Sequence, residues 1–144
     1  MATRSRIAVM HGEKCKSVYC HFDGYISGVG KTLLEHFDSA KANQLVALGD
    51  ISVLAPTVEV PTESTHSWEF PEKHITLFYG RDRKDANTDF RVDYTFEGFL
   101  DRVYESGAEY YYVMRDGQWY VGSVYGELED KLVPLVDIME KEEA

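Results

Sequence analysis

The sequence predicts an α+β domain in which an antiparallel sheet, built from an N-terminal and a C-terminal β-hairpin, packs with two or three helices. Three observations carry that expectation. Residues 4–11 and 15–22 are β-rich and flank Gly12-Glu13-Lys14, a short turn-like connection. Residues 108–115 and 118–125 flank Asp116-Gly117, the strongest short-range hairpin signal in the chain. Between the hairpins, Phe96, Phe99, Leu100, Val103 and Tyr104 recur at helical spacing.

In the first hairpin, Ile7 and Val9 share one face of their strand. In the second strand Val18, Cys20 and Phe22 share one face, and Ser17, Tyr19 and His21 share the other. After Asp23-Gly24-Tyr25 a helix is expected to begin near Gly30, because Leu33, Leu34 and Phe37 repeat at helical spacing. Asp38-Ser39 interrupts it, residues 41–48 resume it, and Gly49-Asp50 ends the segment. Residues 56–71 decay into Pro, Thr, Ser and Glu and predict a long loop, of the kind that is often functional or mobile. Residues 75–79 predict a strand, 81–85 a solvated charged turn, and the alternation of Phe90, Val92 and Tyr94 another half-buried strand.

Thr95 is placed to cap the clearest helix, Gly107 lies just past its end, and Gly98 in the first turn is its one weakness. A two-residue turn at Asp116-Gly117 pairs Met114 with Trp119 and Tyr112 with Val121 on one face, and Val113 with Tyr120 on the other. Leu128, Leu132, Leu135, Val136 and Met139 fall at helical spacing, but Pro134 lies among them, so a short helix followed by an irregular segment is expected. Residues 140–144 predict a frayed acidic tail.

The length of 144 residues suits one domain with one core. A hydrophobic fraction of 44% with 13% aromatic is that of a chain that folds alone. Twenty-five acidic against 15 basic residues give a formal charge of −10, which opposes general nucleic-acid binding. The same charge allows an acidic surface that imitates nucleic acid toward a basic partner. There is no run of some 18 apolar residues for a membrane span and no apolar core of a signal peptide, so a cytoplasmic protein is expected. Cys15 and Cys20 fall on opposite strand faces, which disfavours a mutual disulfide and suits a reducing compartment.

Gly28-Val29-Gly30-Lys31-Thr32 invites comparison with a phosphate-binding P-loop, but the required earlier glycine is replaced by Tyr25, with Gly24 one residue too early. What survives is a glycine-rich helix start, with Lys31 and Thr32 in the first turn, able to hold an anion through free N–H groups; a plain helix start needing flexible glycines is the competing reading. Tyr19, His21, Asp23 and Tyr25 alternate, which places a base, a carboxylate and two rings on one face beside that loop. His21 oriented by Asp23 would be half of a general-base pair, yet no serine or cysteine nucleophile is tied to it by any motif. His11, His36, His66 and His74 show no metal-ligand spacing, and neither a metal nor a cofactor is expected. Ten tyrosines, seven phenylalanines and two tryptophans exceed what the core needs. Tyr110-Tyr111-Tyr112 must set rings on both faces of its strand, for stacking on a nucleobase or partner, or for cover by a helix and a second subunit.

Tyr19-Cys20-His21-Phe22-Asp23-Gly24-Tyr25, with residues 4–8, 28–37 and 45–50, resembles a family of small proteins encoded by tailed bacteriophages. The resemblance covers the first 54 or so residues well and the 110–119 hairpin more loosely, and the family pattern usually carries tryptophan at the position of Phe22. It implies a phage accessory protein acting inside an infected bacterium and supplies no catalytic assignment. Small phage proteins of this kind include inhibitors of bacterial immunity, some of which sequester nucleotide signalling molecules, so counter-defence is an expectation by analogy. The leading expectation is a non-enzymatic binder of a small nucleotide-derived ligand. Its phosphates would meet residues 28–32 and Arg4 or Arg6, and its base would stack on rings such as Tyr19, Tyr25, Trp68 or Tyr111, beside His21 and Asp23. A small hydrolase with His21 as base, and an acidic inhibitor of a host protein, are the alternatives.

Overall fold

Alternation in the first two segments builds an antiparallel hairpin of β1 (Ser5–His11) and β2 (Lys14–Cys20), closed so that His11 faces Lys14. The computed structural model describes residues 2–143, with side chains through Lys141. Beyond β2 come a π-turn (Ile26–Gly30), α1 (Lys31–His36), α2 (Ser39–Ala47) and β3 (Ile51–Val53). The long loop ends at β4 (Leu77–Phe78), followed by α3 (Tyr79–Arg83), β5 (Arg91–Asp93) and α4 (Phe96–Glu105). The second hairpin is β6 (Tyr110–Arg115) and β7 (Gln118–Ser123), and a 3₁₀ turn (Gly126–Leu128), β8 (Val133–Pro134) and α5 (Leu135–Glu143) complete the chain.

The mixed α+β class holds, but the sheet is larger than two hairpins and is not purely antiparallel. Among the described residues it has eight strands, in the order β4-β3-β2-β1-β6-β7-β8, with β5 also on β2. The hairpins join through a parallel β1–β6 pairing, and β3 lies parallel to β2 through Cys20 and Ile51. The outer edge of β2 is thus divided, β5 pairing residues 15–17 and β3 pairing the end. The second hairpin has the expected register, Met114 opposite Trp119 and Tyr112 opposite Val121. Asp116 and Gly117 both take positive φ, 51° and 77°, as a type I′ turn requires.

Both faces of the sheet are covered. One core gathers Ile7, Val9, Val18, Cys20, Tyr112, Met114 and Trp119 under α1, α2 and α5. The other gathers Ala8, Cys15, Tyr111 and Val113 under Phe99 and Val103 of α4. Cys15 and Cys20 therefore do lie on opposite faces, both buried and free.

Several boundaries differ from expectation. The 75–79 strand shrinks to Leu77–Phe78, and the charged stretch 81–85 begins inside α3, where Arg81 and Asp82 are half-buried. The C-terminal helix follows Pro134 rather than preceding it, because proline is tolerated in a short edge strand but not in a helix interior. Residues 140–143, expected as a frayed tail, continue α5, and Ala144 lies outside the described residues. No helix among the described residues is long and apolar enough to cross a membrane.

Candidate functional site at the end of β2

Past Cys20 the chain runs on beside β3 for two residues, with His21 N donating to Ile51 O at 3.0 Å and Phe22 N to Ser52 O at 3.1 Å. Asp23 then adopts a left-handed backbone, φ 58°, which ends the extended run. Gly24 is fixed from two sides: its N–H donates to Thr3 O at 2.8 Å, and its carbonyl accepts the buried Tyr112 hydroxyl at 2.6 Å. The π-turn closes back on this bend through Val29 N to Asp23 O, 2.8 Å, and Gly28 N to Tyr25 O, 3.0 Å.

These bonds correct two sequence expectations. The Gly28 and Val29 N–H groups are spent inside the turn, so they form no free cradle for an anion. Glycine is required at 28 by crowding, since a Cβ there would sit 2.3 Å from Asp23 O. Nor does alternation carry Tyr19, His21, Asp23 and Tyr25 onto one face, because the Asp23 bend breaks it. The His21 Nδ1 instead shares a 2.6 Å hydrogen bond with the Tyr19 hydroxyl, whose pKa burial raises, and its ring meets Phe22 edge-on at 4.6 Å. The His21–Asp23 pair does not form.

What the bend creates is a notch of about 200 Å³ at the carboxyl ends of the parallel strands β2 and β3. Asp23, Thr32, Lys31 and Glu35 give it polar groups, and Phe22, Tyr25 and Val53 give it an apolar rim. Phe22 and Tyr25 are 41% and 43% exposed, far more than a core role allows. In open α/β sheets ligands are received outside the carboxyl ends of the strands where the strand order reverses, and the notch shares that strand-end position. The notch charges are one lysine against two carboxylates.

Of the residues expected at a site, Asp23, Tyr25, Gly28, Lys31 and Thr32 converge on this notch. Gly30 lies buried beneath it, against Tyr112 and Leu135. Tyr19 and His21 adjoin it through Phe22. Arg4 lies over Gly107 past the end of α4, and Trp68 stacks on Tyr79 at 5.5 Å with Arg83 4.4 Å from its ring; neither lines the notch.

Two expected ligand contacts belong to the interior instead. Arg6 is 5% exposed, donates to Ser17 Oγ and Ser106 Oγ at 3.0 Å each, and is pushed down to about 10 by burial, with Asp50 opposing. Tyr111 is 4% exposed, packed against Phe96 and Phe99, with its hydroxyl donating to Lys131 O. Burial also raises the thiols, Cys15 to about 11 and Cys20 to about 12, which keeps them protonated and unreactive at neutral pH.

Sequence reasoning missed Phe22, Glu35, Val53 and Leu54. Glu35 was legible, being one helical turn beyond Lys31, whereas Val53 and Leu54 reach the notch only through the parallel β2–β3 pairing. Comparison with protein-family models, curated proteins and solved structures finds no match.

Proposed function

We propose that the chain is a phage counter-defence protein that captures a small nucleotide-derived signalling molecule in the host cytoplasm and returns it uncleaved. The observation that supports this most is the notch: an exposed aromatic rim around Asp23, Lys31, Thr32 and Glu35, with no activated nucleophile among the described residues that line it. The His21 imidazole is engaged by Tyr19, His36 lies 3.9 Å from Glu35 as an exposed pair, and both thiols are buried, which favours holding a ligand over breaking one. In this reading Lys31 and Thr32 meet one phosphate, Asp23 and Glu35 accept from ribose hydroxyls or an amino group, and a base stacks on Tyr25 or Phe22 outside the notch. Two carboxylates beside one lysine select against polyphosphates and toward ligands with few charges and many donors.

Equilibrium dialysis against cyclic nucleotides and cyclic ADP-ribose variants, followed by denaturation and mass spectrometry, tests the proposal. One member retained and released intact is the expected result. New products would establish the hydrolase reading, and retention of nothing by folded protein would refute small-molecule capture.

A further inference from the structure

A second cavity, about 480 Å³, lies where the π-turn, the base of the second hairpin, the 3₁₀ turn and α5 meet. It is more than twice the notch in volume and falls within the roughly 300–1,000 Å³ typical of small-molecule pockets. Ile26, Leu128 and Ile138 give it aliphatic walls, and Tyr110 and Tyr125 add rings. Much of the polar chemistry in the wall is already committed to the framework. The Ser123 hydroxyl donates to Tyr125 O at 2.7 Å, and the Tyr125 hydroxyl donates to the Glu109 carboxylate. The two charged lining groups, Glu127 and Lys141, are exposed and cancel. With its two opposite charges on exposed residues, a wall of aliphatic and aromatic groups rewards apolar area and gives little compensation for a buried net charge.

We propose that this pocket is a binding site, separate from the notch, for a neutral and mainly apolar small molecule. The inference stands on cavity size and lining alone and does not need the notch to bind a nucleotide.

The probe is N-phenyl-1-naphthylamine, an uncharged aromatic whose fluorescence rises in apolar surroundings, titrated into the full chain with amide chemical shifts followed in parallel. Saturable binding of one probe per chain is expected, with the largest shifts at Ile26, residues 123–128 and Ile138. Ile138→Trp and Leu128→Trp, which fill the cavity from two sides, should each weaken binding at least tenfold in protein that keeps the wild-type circular dichroism, while Lys31→Ala in the notch leaves it unaltered. Absence of saturable binding by folded wild-type protein, or shifts centred elsewhere, overturns the proposal. So does wild-type affinity in both tryptophan variants. Should those variants fail to fold, the shift map of the wild-type chain decides alone.

Discussion

Gly28 is held against the bend so closely that a methyl group in its place must displace backbone, since the nearest atom to an added Cβ is the Asp23 carbonyl oxygen at 2.3 Å. Gly28→Ala should therefore cost about 1–3 kcal/mol of stability in urea unfolding, the usual range for overpacking. Tyr112→Phe leaves the buried Gly24 carbonyl without its hydroxyl donor and should cost about 1–3 kcal/mol by the same measurement. The thiols set a pH limb. Cysteine in the unfolded chain titrates near about 8.5. The folded values of about 11 and about 12 lie above that, so their contribution is fully present below about pH 8.5 and is lost as pH rises toward them. Stability should fall above about pH 9, less steeply in Cys20→Ala, and a thiol reagent at pH 8 should find neither cysteine until the protein unfolds.

At the scale of elements, what was legible is what depends on neighbours in sequence. Thr95 accepts Gly98 N at 3.0 Å and Asp38 accepts Lys41 N at 2.9 Å, so both helix starts are fixed by local side chains. Thr95→Ala should cost about 1 kcal/mol and loosen the start of α4, seen as faster amide exchange at Gly98. The Asp116-Gly117 register was legible for the same reason, because the turn type fixes which residues face each other. Pro134 and the charged stretch 81–85 were misjudged because their settings are tertiary. Pro134 pairs with Tyr120 at the sheet edge, and Arg81 reaches across to Val58 O and Thr76 O.

For the molecule as a whole, the parallel joints decide the outcome, and period-2 patterning carries no information about them. Alternation told that Tyr111 and Arg6 sit on strand faces but not that α4 covers that side, so two residues expected at a ligand are interior instead. The same joints place Val53 beside Phe22 and open the notch over the β2–β3 ends, with Lys31 as the one cation among the described residues that line it.

The most direct test of that corner is isothermal titration of the cyclic nucleotide and cyclic ADP-ribose panel into wild-type protein and Lys31→Ala. One panel member should saturate at one per chain, and Lys31→Ala should weaken it at least tenfold with the melting temperature unchanged, because Lys31 is exposed and supports no core contact. Wild-type affinity in the variant, or no binding of any member by folded protein, would contradict the account.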